Sequence, residues 1–277
     1  MSTLAELARS RELLTNLTLR DVRSRYKRTA LGNLWSLLNP LAAMLIYTIV
    51  FGVLLKVTPD KGDPSGLHVF ALWLLCALLP WNFFAIGLAA GMNSLVVNSS
   101  LVLKVYLPRA SLVVSAVLAV GVTFAIEVTV LAVVLLLFGG NPLVWLPLVV
   151  VLMLLLACFT LGLALLLAVA NVYFRDTQHF IAILLQMWFY LTPILYPVSY
   201  VQAQQDRMHA DGSDLPLVTL FKLNPMEHFV AAFRNLLYDN RWPSGLDLLV
   251  CAVTAGVVLV AGLALFGRYE GRLAEEL

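Results

Sequence analysis

Five basic side chains lie close together near the amino terminus and could bind phosphate. Arg20, Arg23, Arg25, Lys27 and Arg28 fall within nine positions, just before an apolar stretch. Arginine makes paired hydrogen bonds to phosphate oxygens, and each Lys or Arg at a membrane surface attracts anionic lipid by about 1 kcal/mol. The segment therefore indicates one of two roles: a charge anchor alone, or an anchor that also holds the phosphate of a lipid-linked molecule.

The segment that carries these charges has the pattern of a helix lying in a membrane interface. Apolar residues recur along it at helical spacing: Leu4, Leu7, Leu14, Leu17, Leu19, Val22, Tyr26 and Ala30. A basic amphipathic helix of this kind lies in the headgroup plane with its apolar face toward the acyl chains. We therefore predict an N-terminal amphipathic segment over residues 1–32, followed by a membrane domain over residues 33–277.

Aromatic and acidic side chains within the apolar part of the chain are the second group that could do chemistry. Trp188, Tyr190 and Tyr196 lie near the end of one apolar run. Such rings belong either to an interfacial aromatic belt or to a surface on which the apolar faces of sugars pack. Glu127 alone lies deep within a run, where a charge is costly and faces a cavity or a partner. For Glu127, lining a cavity or bonding to another helix is favoured over proton coupling.

Motifs typical of enzymes are missing from the sequence. It contains no Gly-rich phosphate loop and no pattern of a catalytic serine, cysteine or carboxylate pair. The three cysteines fall inside apolar runs, and the four histidines lack metal-ligand spacing. The sequence therefore predicts a protein that is not an enzyme, with no catalytic residue and no metal site.

The composition indicates a membrane protein. Of 277 residues, 61% are hydrophobic and 12% charged, whereas soluble domains carry about 25% charged residues. Crossing a hydrocarbon core of about 30 Å takes about 20 residues. Six apolar runs are candidates: residues 33–55, 67–91, 110–138, 143–170, 179–198 and 246–267. We therefore predict an all-α membrane protein with six transmembrane helices. Residues 87–91, GLAAG, also match the helix-packing motif GxxxG, although a chance match is equally frequent in so apolar a chain.

Lys and Arg residues are divided unequally between the two sides that six crossings create. With both termini inside, 12 of the 18 basic residues lie inside and six lie outside. Cytoplasmic segments beside membrane spans are enriched in these residues. We therefore predict a multi-pass protein of the cytoplasmic membrane, in contact with its lipids, with both termini cytoplasmic.

Two cytoplasmic connections have features of a docking surface. Residues 98–109 read NSSLVLKVYLPR, in which the polar residues 98–100 favour a helix start and Pro108 a stop. An apolar face with an aromatic residue suits docking better than the alternative, a plain connector. Arg175 and Asp176 lie side by side in the next cytoplasmic connection, where an ordinary helix-end charge pair is the alternative.

The longest connection, residues 199–245, is predicted to contain a helix on the outer side. Its stretch NPMEHFVAAFRNLLYD has Asn224 as the N-cap, Pro225 at the first helical position and Glu227 two residues later. The apolar residues that follow give it one apolar face, but the stretch is too short to cross a membrane. We predict a re-entrant or interfacial helix between the fifth and sixth spans.

Four stretches together resemble a known family: RDVRSRYKRTALGNLWSLLNPL, NSSLVLKVYLPR, NVYFRD and NPMEHFVAAFR. They look like the corresponding segments of the permease subunit of type-2 ABC exporters, in the same order and at the expected places. The branch that they resemble exports polysaccharides such as O-antigen and teichoic acid. The resemblance covers nearly the whole chain, and none of the four stretches identifies the exported polymer.

The resemblance implies a homodimer that works with two cytoplasmic ABC ATPase subunits. ATP and Mg would be bound by those subunits, so the chain itself needs no cofactor, and no nucleic acid is involved. The family's coupling helix maps onto residues 98–108, and coupling to the ATPase is assigned to eight residues: Ser100, Leu103, Lys104, Tyr106, Pro108, Arg109, Arg175 and Asp176. Short helices within residues 199–240 would close the outer end of a channel.

Aromatic residues line the polymer channel of that family, which favours a lining role for Trp188, Tyr190 and Tyr196, with Glu127 beside them. The function expected first is therefore ATP-driven export of a lipid-linked polysaccharide across the cytoplasmic membrane. A type-2 permease for a small drug or lipid is the second reading. An ion-coupled secondary carrier, which would need no ATPase, is the third.

Overall fold

The structure is a computed structural model that describes residues 10–26, 35–54, 61–104, 107–210, 216–273 and 276. Every regular element in these ranges is helical. In chain order the α-helices are α1 Arg11–Tyr26, α2 Trp35–Tyr47, α3 Phe70–Val97, α4 Ser99–Lys104, α5 Ala110–Leu137, α6 Leu146–Tyr173, α7 Thr177–Leu191, α8 Val198–Ala210, α9 Leu217–Lys222, α10 Pro225–Arg234 and α11 Gly245–Tyr269. Wider π-helical turns continue two of them, Thr48–Leu54 after α2 and Asn235–Asp239 after α10, and a 3-10 turn, Pro142–Trp145, precedes α6.

Four helices within these ranges are long and apolar enough to cross a membrane: Phe70–Val97, Ala110–Leu137, Pro142–Tyr173 and Gly245–Tyr269. They coincide with four of the six predicted runs. The remaining runs, 33–55 and 179–198, contain shorter helices, α2 of 13 residues and α7 of 15 residues.

The predicted fifth run stops being helical before its end. Thr192 has extended backbone angles, φ −103° and ψ 131°. Pro193 explains this break, because a proline disfavours helical angles in the residue before it and lacks the N–H that a helix needs. The apolar character of residues 192–198 therefore belongs to a turn and to the start of α8.

Helix α3 forms the centre of the structure. In its most apolar 18-residue window 83% of the residues are buried, against 17% in α11. Phe83 stacks on Phe124 of α5 with ring centroids 4.9 Å apart, and Phe84 stacks on Phe159 of α6 at 5.6 Å. The core therefore lies between α3, α5 and α6, and α11 packs on the outside of α6.

Glycines permit the closest helix contacts. A Cβ added to Gly162 of α6 would lie 2.5 Å from the backbone oxygen of Val258 on α11, and one added to Gly262 would collide with Gly162 itself. A Cβ on Gly91 would lie 2.7 Å from the Cβ of Ala164. The GxxxG motif in α3 therefore faces α6 at close range, as small residues do between membrane helices.

The helix ends form two opposite faces. The α4 face carries α1, α4, the turn at residues 174–176 and the end of α11, and there the backbone N–H of Arg109 donates to Glu270 Oε1 at 3.0 Å. The α10 face carries α8 to α10 and the loops at residues 61–69 and 138–145. On that face the hydroxyl of Tyr238 donates to the carbonyl oxygen of Leu67 at 2.9 Å. The first and last described helices therefore both meet the α4 face.

Candidate functional site

Helix α4 projects three of the predicted coupling residues from its face. Ser100, Leu103 and Lys104 are exposed, and their spacing of three and four residues puts them on one side of a helix. Val102 is buried and holds the other side against the core. Leu103 is 58% exposed, so an apolar side chain stands in the middle of a polar surface. Tyr106 lies outside the described residues.

The other predicted coupling residues border the same face. Pro108 and Arg109 are half-buried at the start of α5, where the Pro108 carbonyl oxygen accepts from Ser111 N–H at 2.9 Å. Arg175 and Asp176 are exposed in the turn between α6 and α7. Neither side chain makes a hydrogen bond or ion pair with another described residue, so both remain available to a partner.

Helix α1 brings its charges to the same face in two different states. Arg20 pairs with Asp21 at 2.9 Å and donates from Nη2 to Asn98 Oδ1 at 3.2 Å, which ties α1 to the junction of α3 and α4. Arg23 is exposed and makes no hydrogen bond or ion pair within the described ranges. Arg25 lies on α1 but only its backbone is described, and Lys27 and Arg28 fall outside the described residues.

A cavity of about 620 Å³ with a mixed lining of polar and apolar side chains opens beside Arg20 between α1, α3 and α5. Asp21, Ser24, Asn93 and Asn98 line it with carboxylate, hydroxyl and amide groups. An apolar groove of about 730 Å³ lies farther along α5, between α1, α5 and α6. The first could take a polar headgroup and the second acyl chains.

Glu127 occupies an apolar setting. Its half-buried side chain borders a cavity of about 10 Å³ between α2, α3 and α5, together with Met44, Leu75 and Leu79. No hydrogen bond or ion pair joins this carboxylate to another described side chain. A cavity of that size has room for about one water.

The α10 face is organised by a buried arginine. Arg234 Nη1 and Nη2 each donate at 2.6 Å, to the carbonyl oxygens of Pro193 and Ile194, and the guanidinium lies 3.6 Å from the ring centroid of Trp73. Burial lowers the pKa of Arg234 to about 9, so it remains charged at neutral pH. The residue thereby fixes the turn after α7 to α3 and α10.

Asn224 connects the start of α10 to the end of α7. Its Oδ1 accepts from Met226 N–H at 3.0 Å, which is the N-cap that the sequence predicts, and from Trp188 Nε1 at 2.7 Å. Its Nδ2 donates to Thr192 Oγ1 at 2.8 Å. The Trp188 ring packs edge-on against Phe84, with centroids 5.2 Å apart. The described contacts of Trp188 are therefore with the core, and its lining role stays a prediction.

The two predicted tyrosines lie nearer the surface. Tyr190 is 59% exposed on α7. Tyr196 is half-buried and donates from its hydroxyl to the Tyr190 carbonyl oxygen at 2.7 Å. Tyr190 is therefore the one of the three predicted rings that is open to a ligand in this conformation.

A histidine between two carboxylates joins α10 to α11. His228 Nδ1 lies 2.6 Å from Asp247 Oδ1, and Nε2 lies 2.8 Å from the carbonyl oxygen of Lys222. Glu227 is buried beside it, with Oε2 at 3.6 Å from His228 Nδ1. The hydrogen bond to Asp247 raises the pKa of His228, and burial raises the pKa of Glu227. No sequence pattern predicts this cluster, since Asp247 is 19 positions from His228 and no spacing rule joins them.

Comparison with known proteins agrees with this architecture. The sequence model of the family described as ABC-2 type transporter matches residues 12–238. The O-antigen export system permease protein RfbA of Myxococcus xanthus is 30% identical over 98% of both chains. RfbA of Klebsiella pneumoniae is 26% identical over 96% of this chain and 95% of its own. The polysialic acid transport protein KpsM of Escherichia coli is 25% identical over 92% of each chain. These matches confirm the predicted resemblance, and the chain belongs to the ABC-2 type transporter family.

Proposed function

We propose that the chain is the permease subunit of an ATP-driven exporter that moves a lipid-linked polysaccharide of the cell envelope across the cytoplasmic membrane. The observation that carries the proposal is the similarity, over 92–98% of the chain, to proteins named for O-antigen export or polysialic acid transport. ATP and Mg would be bound by separate ABC ATPase subunits rather than by this chain.

Connectivity supports six crossings, although four helices meet the length criterion. Helices α6 and α11 both run from the α10 face to the α4 face, so the chain must return between them. Helix α7 makes that return: it follows the turn at residues 174–176, and its Trp188 contacts Asn224 on the α10 face. Residues 35–54 make the other return, because they connect α1 on the α4 face with Gly62 on the α10 face. The Gly62 N–H donates to the carbonyl oxygen of Leu67 on that face. Six crossings place both termini on one side, which the basic residues favour as cytoplasmic.

The ATPase is proposed to dock on the α4 face. Its centre is the exposed surface of α4, where Leu103 offers an apolar contact and Lys104 a charge. Arg175 and Asp176 would extend the contact from the neighbouring turn. Motion of the ATPase would then reach α3 and α5 directly, because α4 joins these two helices through connections of only a few residues.

The substrate is proposed to approach along α1 and to leave past α7. Arg23 has no partner in the described ranges and can contact a lipid phosphate, while the polar side chains in the cavity beside Arg20 offer hydrogen bonds to the group attached to that phosphate. On α7, Tyr190 presents an exposed ring on which a sugar can pack.

Helix α7 also supports the proposed homodimer. Most of its surface is uncovered, with Ile181 the one fully buried residue. Gln186 is exposed near the middle of this helix, between apolar residues on both sides. An amide facing hydrocarbon would be costly, so a second copy or a polar path between two copies is a better neighbour for it than lipid.

A second candidate function is export of a lipid that carries no glycan. The apolar groove of about 730 Å³ between α1, α5 and α6 favours it, since such a groove accommodates acyl chains without any polymer. Both candidate functions require an ABC ATPase, so ATP hydrolysis does not distinguish them. The amount of polysaccharide at the cell surface does.

Purification from native membranes tests the proposal. The tagged chain should retain an ABC ATPase at a 1:1 ratio, and depletion of the chain should reduce surface polysaccharide. Leu103→Ser should lower the affinity for the ATPase about five- to thirtyfold, because a buried apolar contact in an interface centre is worth about 1–2 kcal/mol. Leu220→Ser is the matched control: Leu220 is 55% exposed, but on the α10 face.

Two results would oppose the proposal. A chain that never retains a nucleotide-hydrolysing subunit would favour a secondary carrier. A retained ATPase with unchanged surface polysaccharide after depletion would favour the lipid exporter.

A further inference from the structure

We propose that Glu227, His228 and Asp247 form a binding site for a divalent transition-metal ion, of the zinc class, where α10 meets α11. Imidazole and carboxylate groups are ligands of this class of ion. The site would be independent of ATP and of the exported substrate. It departs from the expectation, drawn from histidine spacing alone, that the chain has no metal site.

The three donor atoms converge on one point. One ligand atom from each of Glu227, His228 and Asp247 lies within 4.8 Å of the other two. Two ligand atoms on a tetrahedral zinc ion are separated by about 3.3 Å. The distances from Nδ1, 3.6 Å to Glu227 Oε2 and 2.6 Å to Asp247 Oδ1, fall on either side of that value. Seating an ion would therefore need the donor atoms to close by no more than about 1.5 Å, from at most 4.8 Å to about 3.3 Å.

The orientation of the imidazole suits a metal ligand. His228 Nε2 lies 2.8 Å from the Lys222 carbonyl oxygen, which can only accept, so the proton is on Nε2. In the neutral ring Nδ1 then presents its lone pair to the carboxylates. A carbonyl that fixes the far nitrogen in this way is the usual second partner of a metal-bound histidine. A positive species, a proton or a metal ion, must lie between Nδ1 and Asp247 Oδ1.

Glu227 distinguishes these two species. One proton on Nδ1 satisfies Asp247 but leaves the second carboxylate without a hydrogen bond to any described residue. Glu227 is only 7% exposed, and its Oε2 points to the same nitrogen at 3.6 Å, beyond hydrogen-bond distance. A protonated His228 offers Glu227 an ion pair at 3.6 Å but no hydrogen bond. A metal ion would engage both carboxylates and the imidazole at once, leaving its fourth position for water.

The surrounding structure holds the ligands and leaves a route to them. Ser244 Oγ accepts from Asp247 N–H at 3.0 Å, which fixes the first turn of α11. The Asp247 side chain is 16% exposed, so the site can be reached from the α10 face. An ion here would clamp the short helix α10 onto a membrane-crossing helix.

The experiment uses the full chain, purified in detergent through a tag without histidine. Zinc content is measured by mass spectrometry, and the melting temperature is followed during titration with Zn²⁺ and, separately, Mg²⁺. The variants are His228→Gln and Glu227→Gln, and the control is His179→Gln, an exposed histidine on α7. Glu227→Gln leaves the contact between His228 and Asp247 in place, so it reports on the metal even where His228→Gln fails to fold.

We expect a zinc content of about one ion per chain in the parent protein and in His179→Gln. Glu227→Gln should bind zinc at least tenfold more weakly, and Zn²⁺ but not Mg²⁺ should raise the parent melting temperature. Equal zinc affinity in the parent and Glu227→Gln would overturn the proposal. So would a parent chain that holds no zinc and melts at the same temperature with and without it, because the cluster would then be an ion pair closed by a proton.

Discussion

The polar side chains of the two faces differ in what surrounds them. On the α10 face Arg234 and His228 are buried and Asn224 is half-buried, and each makes at least two contacts at hydrogen-bond distance. On the α4 face Lys104 and Arg175 are exposed and make none within the described ranges. Buried polar groups need partners inside the chain, whereas exposed ones are free to find them in another molecule.

This difference separates structural roles from binding roles. A substitution on the α10 face removes a group whose partners are left unsatisfied in a buried place, so it acts first on stability. A substitution on the α4 face exposes nothing new and acts first on partners.

Replacing Arg234 should have the largest effect on stability. Arg234→Met keeps much of the side-chain volume but loses two charge-assisted hydrogen bonds, each worth about 1.5–3 kcal/mol, and leaves two buried carbonyls without donors. We expect a loss of at least about 3 kcal/mol and little folded protein in detergent, measured by size-exclusion yield and thermal unfolding. Arg241→Met, at a residue paired with Asp239 but 51% exposed in its side chain, is the control. Equal behaviour of the two variants would contradict the structural role of Arg234.

Asn224 should show an intermediate effect with partial rescue. Asn224→Ala removes an N-cap, worth about 0.5–2 kcal/mol, and leaves Trp188 N–H without an acceptor. Asn224→Asp keeps an oxygen for Met226 N–H and for Trp188 but loses the donor to Thr192. We expect the alanine variant to melt lower than the aspartate variant, and the aspartate variant lower than the parent. Equal melting temperatures for the alanine and aspartate variants would show that the oxygen of Asn224 does not stabilise the structure as a hydrogen-bond acceptor.

The contact between α6 and α11 should distinguish two glycines by their surroundings. Gly162→Ala places a methyl group against the Val258 carbonyl and should cost about 1–3 kcal/mol through overpacking. Gly256 on α11 has no atom within 4 Å of an added Cβ. Gly256→Ala should therefore be neutral or stabilising by up to about 1 kcal/mol, since alanine favours the helix. Thermal unfolding of both variants measures the difference, and a similar loss in both would show that the helices do not approach as described.

Local sequence patterns predicted the parts of the fold that depend on neighbouring residues. Long apolar runs predicted α3, α5, α6 and α11, and the Asn-Pro pair at residues 224–225 predicted where α10 begins. The end of α7 was not predicted, although Pro193 was visible, because the apolar run continued past it. Hydropathy indicates whether a residue favours an apolar environment, whereas Pro193 ends the helix through its effect on backbone conformation.

The candidate site was predictable only where its residues act without distant partners. The exposed face of α4 follows from one short stretch. Trp188 was assigned from its position in an aromatic cluster, but its N–H finds Asn224 36 residues away. The cluster of Glu227, His228 and Asp247 likewise needs α10 to fold against α11. Contacts of this kind depend on tertiary packing, which periodicity does not encode.

The smallest effects are expected in α1, where two neighbouring arginines differ in their partners. Arg20→Gln breaks an exposed pair with Asp21, which is worth about 0–1 kcal/mol, and loosens α1 from Asn98. Arg23→Gln removes a charge with no described partner and should leave the melting temperature unchanged. Its effect should appear in binding to vesicles with anionic lipid, where one charge is worth about 1 kcal/mol, or about fivefold in affinity.

Vesicle sedimentation at two salt concentrations measures how much the charge of Arg23 contributes to the binding of anionic lipid. The loss caused by Arg23→Gln should shrink at high salt, because an exposed charge is screened over about 10 Å at 0.1 M. For Arg20 the larger change should be in thermal unfolding, since its guanidinium already has two partners within the chain. If Arg20→Gln instead weakens vesicle binding more than Arg23→Gln does, the contacts of Arg20 with Asp21 and Asn98 do not withhold it from lipid. The α4 face would then bind lipid through a group that also holds the structure together, and structural and binding roles would not be divided between the two faces.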